Sequence, residues 1–420
     1  MDGFLAARSL IGHSLAFHIL IVALSIGLPV LLSLFEWYAW RKNSERLRAF
    51  VRLLAKWTAV FVIGGIFTGT IIALQMSTLW APFMNEVRPT VGKFFQLEGY
   101  MFLIEAAFLS WYLGTMKQTG TLRHFLISIP ISIGTIGSAF FITAVNAYMN
   151  NSTATLTSTT INEVLHSVAS YIFATTLLVL AYVVWRSLHK QSASTKTFLN
   201  WTITRLVAVS TILLVTLALL GHQSAVNIAE TQPAKLAAIE LLDKTQSNAP
   251  LRIGGDIDAN GKAEGGIVLP GMLSLLAGYS TAYEVKGLDQ VPRYQWPPLI
   301  VHLLFDTKMA LVGLSSLLVL GAIFFLWRRG SFPRWFSITF IPLSVVGMIM
   351  MELGWFITEL GRQTWTVAGK QTTAAAFTHG ATIGNSLFIF ILLFAVLSCA
   401  TAFALAYTTR HWRATEKTSW

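Results

Sequence analysis

Residues 334–365, RWFSITFIPLSVVGMIMMELGWFITELGRQTW, decide how this chain is to be read. About twenty mostly apolar residues form a helix long enough to cross a ~30 Å hydrocarbon layer. The run then closes on Gly354-Trp355-Phe356-Ile357-Thr358-Glu359-Leu360-Gly361-Arg362-Gln363-Thr364-Trp365. A carboxylate (Glu359) and a guanidinium (Arg362) therefore stand three residues apart at the mouth of a helix in lipid. Ionisable groups at that depth are costly and mark sites.

The same apolar character covers most of the 420 residues, which are 54% hydrophobic and only 12% charged. That composition excludes a soluble globular protein and predicts an all-α integral membrane protein. Nine spans are expected, near 14–36, 57–79, 94–115, 124–146, 164–186, 203–221, 298–327, 334–357 and 381–408. They divide the chain into 1–221 (six spans), a long extramembrane loop at 222–296, and 297–420 (three spans). The loop is expected to begin helical from Gln232 to Lys244 and then to become Gly- and Asp-rich. Pro29, Pro130 and Pro342 fall inside spans and predict kinks rather than breaks.

The net charge of +11 does not point to nucleic acid, because the basic residues cluster between spans as topology signals. With the long loop set aside, 18 Lys and Arg lie on one side and 5 on the other. The N-terminus is therefore expected outside and the C-terminus in the cytoplasm. The single cysteine, Cys399, excludes an intrachain disulfide and a CxxC redox motif. Residues 1–11 are too short and too weakly basic for a cleaved signal, so the first span is expected to be retained. No nucleophile elbow, phosphate loop or zinc motif is present.

This orientation puts His18, Glu98, Glu105, His166, Met309 and Glu359 at one depth, beneath the loop. His, Met and carboxylate side chains can all serve as axial haem ligands. Taken singly, each His also reads as a hydrogen-bonded interfacial residue, and Met309 as packing material. Glu98 and Glu105, seven residues apart, share a helical face about 10 Å apart.

The motif ending at Trp365 closely resembles the signature of subunit I of cytochrome bd quinol oxidases, with Thr364 where a proline is usual. Arg8 and His18 keep the family's spacing of ten. Leu165-His166-Ser167-Val168-Ala169-Ser170 resembles its low-spin haem segment, and Val145-Asn146-Ala147-Tyr148-Met149-Asn150 the end of its fourth helix. Gln232-Pro233-Ala234-Lys235-Leu236-Ala237-Ala238-Ile239-Glu240 resembles the start of its quinol-binding loop, in the short-loop branch. Three departures mark a divergent member. The span 3 glutamates are seven apart rather than eight, and Glu163 stands where a basic residue is often found. Phe305-Asp306-Thr307-Lys308-Met309 has one residue more between Phe and Met than the family pattern. An ungapped match puts Lys308 at the ligand position, with Met309 just beyond it.

The resemblance implies a haem-bearing subunit of a quinol:oxygen oxidoreductase in a prokaryotic plasma (inner) membrane. Quinol is oxidised outside, O2 is reduced to water, and charge is separated. It implies a low-spin haem b on His166 and Met309. A high-spin haem b and a haem d, or a haem b in its place, would be served by His18 and Glu359. Glu98, Glu105 and Trp355 line the high-spin region. Arg362 neutralises propionates or supports the quinol site, and Arg8, Asn146, Gln363 and Trp365 contact the cofactors. Lys235 and Glu240 meet the quinol, with Glu240 as proton acceptor. A second membrane subunit, and a small single-helix accessory, are the implied partners. The rival readings are a degenerate homologue with fewer haems that passes electrons elsewhere, and a proton-coupled transporter.

Overall fold

The computed structural model describes residues 3–152, 156–379 and 386–418. Eight helices in it are long and apolar enough to cross a membrane. They are α1 (Gly3–Lys42), α2 (Glu45–Leu79), α4 (Leu122–Asn151), α5 (Ser158–Ser187), α6 (Ala193–Thr231), α9 (Ile300–Arg329), α10 (Arg334–Leu360) and α12 (Ser386–Thr418, apolar over Phe388–Arg410). The expected third span lies in α3 (Ala81–Gly114), which is as long as its neighbours. Gln96, Glu98 and Glu105 dilute its apolar character, so it falls outside that group of eight. The start of the expected last span, 381–385, lies outside the described residues.

Ser or Thr side chains start four of these helices. Ser44, Thr121, Thr157 and Ser192 each accept a hydrogen bond from the backbone N–H three residues on, satisfying a donor the helix leaves free. The prolines stay inside α1, α4 and α10, as expected. At Pro29 the sequel is visible. Proline has no N–H to offer the carbonyl four residues back, and that carbonyl, on Ser25, instead accepts the Thr135 hydroxyl from α4 at 3.2 Å.

Helix α1 is the axle, buried along one flank against α2, α4 and α5. Close approach rests on glycine where helices cross. A Cβ on Gly134 of α4 would lie 2.8 Å from the Glu105 backbone N of α3. The end of the bundle that holds Glu36 is clasped by a fully buried set. Glu36 accepts from Tyr112 Oη (2.6 Å) and from the Gly120 N–H (2.7 Å), and it meets His124 Nδ1 at 3.0 Å. Three protein groups thus meet its two oxygens, giving the buried carboxylate the partners it requires.

Two expectations about the loop change. Helix α6 runs on to Thr231, ten residues beyond the expected end of its span. The following α7 (Pro233–Ile239) stops before Lys244. Leu241 takes a left-handed conformation (φ 49°), which lets both Leu241 and Leu242 be buried while α7 ends. Beyond it lies a hairpin interrupted in the middle. β1 (Leu251–Ile253) pairs with β4 (Ile267–Leu269), and β2 (Asp256–Ile257) pairs with β3 (Ala263–Glu264). At the interruption a Cβ on Gly266 would lie 2.2 Å from the Gly254 carbonyl, so no side chain fits there. A short α8 (Met272–Gly278) completes the loop. After α10 come strands β5 (Trp365–Val367) and β6 (Gln371–Thr372) and the turn α11 (Thr373–Ala376).

Candidate functional site

The C-terminal end of α10 anchors a chain of polar side chains drawn from three helices. Glu359 receives the Asn146 amide of α4 on one oxygen and Arg362 Nη2 on the other, each at 2.5 Å. Asn146 Oδ1 accepts from Asn150 at 2.9 Å, and Asn150 Oδ1 accepts from Lys235 Nζ of α7 at 2.5 Å. Glu163 of α5 lies within electrostatic reach of Lys235 and Arg362. Burial pushes the Lys235 ammonium down to about 7, with the Glu163 charge pulling the other way. Gly361 makes the approach of α7 possible, since a Cβ there would lie 2.8 Å from Lys235 Cγ. Arg362 is buried, yet its Nε and Nη1 have no partner. Beside it, Gln363 Oε1 accepts from Arg8 Nη2 (3.2 Å) and Thr373 Oγ1 (3.1 Å). Trp365 opens β5 next door, its N–H bonded to the Arg362 carbonyl.

His18 is held by α2. The Thr68 hydroxyl donates to the Gly64 carbonyl at 2.9 Å, so its oxygen accepts from His18 Nδ1 at 2.7 Å. That bond fixes the tautomer and leaves Nε2 with the lone pair, the arrangement a metal-ligating histidine needs. Gly69 gives the ring room, because a Cβ there would lie 3.4 Å from His18 Cε1.

Glu98 and Glu105 both turn toward α4. Glu98 accepts from the Ser138 hydroxyl at 2.9 Å. Glu105 is buried and its Oε1 has no partner. Trp355 donates its indole N–H to Tyr171 Oη at 2.9 Å.

His166 projects from α5 toward α6, where a Cβ on Gly221 would lie 3.5 Å from its Cε1. Its Nδ1 is buried with no partner. The expected second ligand does not join it. Met309 is 48% exposed on the outer side of α9. Lys308 turns inward instead. Its Nζ is 3.1 Å from where a Gly354 side chain would begin, and it lies within electrostatic reach of the His166 ring. The reason is rotational, since neighbouring helix positions differ by about 100° and only one of the two can face α10.

The two expected quinol contacts also part company. Lys235 points into the Asn150 chain, whereas Glu240, about 140° further round the α7 axis, is buried toward Asp306 of α9. Burial, and then the Asp306 charge, raise Glu240 to about 8, against the backbone N–H of Arg252 that favours its anion. Asp306 accepts from the Gly254 N–H at 2.5 Å and meets His302 Nε2 at 3.3 Å, while His302 Nδ1 bonds the Ile239 carbonyl at 2.6 Å. Sequence reasoning missed Thr68, Ser138, Asn150, Tyr171, His302 and Asp306. Only the His302/Asp306 pair, one turn apart, carried a signal that could have found it.

Among the described residues no three His, Cys, Asp or Glu converge to hold a bare metal ion. Single donors suit a metal already held by a macrocycle, and here the donors stand singly. His18 Nε2 is free, and Glu359 keeps lone pairs beyond its two hydrogen bonds. Buried polar atoms on His166, Glu105 and Arg362 have no partner among the protein groups and are able to meet a further group. The residues present fit haem.

The comparisons with known proteins agree. The family model "Cytochrome bd terminal oxidase subunit I" matches residues 6–413. The chain is 30% identical to "Putative cytochrome bd menaquinol oxidase subunit I" of Bacillus subtilis (strain 168), over 98% of this chain and 97% of that protein. It is 26% identical to "Cytochrome bd ubiquinol oxidase subunit 1" of the same organism, over 93% and 89%. Among solved structures, the bd oxidase from Geobacillus thermodenitrificans superposes with a TM-score of 0.89 at 29% identity, covering 98% of this chain and all of that one.

Proposed function

The chain belongs to the cytochrome bd terminal oxidase subunit I family, and we propose that it is the haem-bearing subunit that oxidises quinol at the outer face of the membrane. It is a quinol oxidase subunit, a multi-pass protein of a prokaryotic plasma membrane. The reading carries the N-terminus outside, so the α7 and hairpin loop and the Glu359–Arg362 end of the bundle face outward.

One observation carries the proposal. Ligand-type side chains from α1, α5 and α10 gather at one end of the bundle, under the loop that supplies Lys235 and Glu240. There His166 would hold a low-spin haem b, and His18 and Glu359 would serve a high-spin haem b and a haem d or a haem b in its place. Bound haems supply electron transfer from quinol and the reduction of dioxygen to water. This chain positions them. Thr68 orients His18, Asn146 and Arg362 orient Glu359, and the free N–H groups of Arg362 suit a propionate. Glu98, Glu105 and Trp355 border the high-spin region.

Quinol oxidation must release protons, and Glu240 is the acceptor. Its neighbours Asp306 and His302 offer the next stations, and Lys235 holds the Asn150 amide in place while it faces the Glu163 charge. The relatives are named for menaquinol and for ubiquinol, so the shared chemistry is a lipid-soluble quinol head group. With electrons entering outside and protons for water drawn from the cytoplasm, turnover separates charge. The exposed apolar faces of α9 and α12 suit lipid and a second membrane subunit, with a small single-helix subunit as a further partner.

A reduced-minus-oxidised absorption spectrum of the purified complex tests this reading, with quinol as reductant and then carbon monoxide added. A red-shifted chlorin band or a high-spin haem b band that moves with carbon monoxide, beside low-spin haem b, is expected. Low-spin haem b alone, unmoved by carbon monoxide, would mean that this chain relays electrons without reducing oxygen.

A further inference from the structure

Lys308 has no place in the functions above. It projects between α9 and α10 at membrane depth, where a charged amine without a counter-ion is costly. Among the described residues no carboxylate pairs with it and no hydrogen bond uses its Nζ. We propose that the neutral amine of Lys308, rather than the Met309 thioether, is the second axial ligand of the haem held by His166.

The register of α9 carries the argument. Val301, Ser315 and Ala322 are all buried, and their separations are multiples of seven, which keeps one helical face turned inward. Lys308 is the member of that series that completes it. On the other flank, Leu303, Ala310 and Leu317 are exposed, as is Met309. The register is pinned just before Lys308. His302 bonds the Ile239 carbonyl, and Asp306 accepts the Gly254 N–H. It is pinned again just after, where Ser315 Oγ reaches Met350 Sδ at 3.8 Å. Bringing Met309 inward needs a rotation of about 100°, which breaks all three contacts and drives Lys308 outward.

Two glycines border the pair: a Cβ on Gly354 would lie 3.1 Å from Lys308 Nζ and one on Gly221 would lie 3.5 Å from His166 Cε1, so a larger side chain at either position would crowd the donor beside it. Coordination also removes the electrostatic difficulty. On coordination the ammonium would give up one proton and the amine nitrogen would donate its lone pair to iron, so no ammonium charge would remain at that depth. Nitrogen is a harder donor than a thioether and favours ferric iron, so the low-spin haem should sit at a lower potential than a His/Met pair gives.

This inference rests on the reading that His166 holds a haem, and the test separates the two. Electron paramagnetic resonance and near-infrared magnetic circular dichroism would be recorded on the oxidised complex, with a redox titration. The intact protein should show low-spin haem with nitrogen–nitrogen ligation and no thioether charge-transfer band. In Lys308→Met the thioether band should appear and the midpoint potential rise. Lys308→Arg keeps the charge but cannot ligate, so its low-spin signal should give way to high-spin haem that binds carbon monoxide. Met309→Leu should change neither spectrum nor potential. A thioether band in the intact protein that Met309→Leu abolishes overturns the proposal. So does a Lys308→Arg protein that keeps its low-spin haem, because Lys308 would then be only a charge partner. A His166→Ala protein that keeps the low-spin haem overturns the His166 reading itself, and the Lys308 assignment falls with it.

Discussion

Asn146 on α4 donates its side-chain amide to Glu359 on α10 at 2.5 Å, across 213 residues of sequence. Arg362 takes the other carboxylate oxygen at the same distance, so the Glu359 head group is fixed in two directions before any cofactor is considered. A hydrogen bond to a charged group contributes about 1.5–3 kcal/mol, enough to decide where the carboxylate points. Asn146→Ala should lower oxygen uptake with quinol about tenfold. Asn146→Asp, which sets a second carboxylate against the first, should lower it further. Equal or better activity in the Asp variant would remove Asn146 as the positioning group.

The same logic applies to His18. Thr68→Val keeps the shape and removes the hydroxyl that holds Nδ1. Outer-shell partners of metal-ligating histidines are worth roughly 10–100-fold in affinity or activity. The variant should lose high-spin haem in that range, read as the carbon monoxide-responsive fraction of total haem, while Thr68→Ser retains it. Full haem loading in Thr68→Val would show that α1 packing alone orients the ring.

Much of this architecture was legible because membrane helices declare themselves by length. The span containing Glu98 and Glu105 was visible for the same reason, although its carboxylates weaken the signal in α3. Helix ends were harder to place. Residues 222–231 are polar, yet they continue α6, and α7 stops early because burial of Leu241 and Leu242 outweighs local helix preference. Within the site, Glu359 and Arg362 were readable from their spacing of three at the end of one helix. Which of Lys308 and Met309 faces inward was not. That choice is set by Asp306 meeting the Gly254 N–H of the hairpin, a contact 52 residues apart in the chain. Thr68 and Tyr171 left no trace, since a hydroxyl in an apolar helix looks the same whatever it faces.

Helix packing offers a test that needs no cofactor. A Cβ on Gly27 of α1 would lie 2.2 Å from Thr175 Oγ1 of α5, and that hydroxyl already donates to the Ala23 carbonyl at 3.1 Å. Gly27→Ala should therefore force α5 away and cost about 1–3 kcal/mol. Gly12 has nothing within 4 Å of its added Cβ, so Gly12→Ala should be neutral or gain up to about 1 kcal/mol of helix propensity. Thermal unfolding in detergent compares them, and equal midpoints would contradict the close crossing of α1 and α5.

Glu240 gives the pH dependence its sign. Its folded value of about 8, raised by burial and by Asp306, lies above the ordinary 4.5, so the folded protein favours the neutral acid. Its contribution to stability is therefore complete below the unfolded value and is lost as pH rises through about 8. Proton acceptance runs the other way, because only the carboxylate can take a proton from quinol. That fraction grows roughly tenfold per pH unit below the folded value. The rate of quinol oxidation should climb from pH 6 toward 8, while the loop becomes easier to unfold over the same interval. Glu240→Gln should abolish the climb and leave the loop's proteolytic stability flat with pH. Asp306→Asn removes the neighbouring charge and should shift the climb to lower pH. An unchanged profile in both variants would take Glu240 out of the proton path and leave it a packing residue beneath the hairpin.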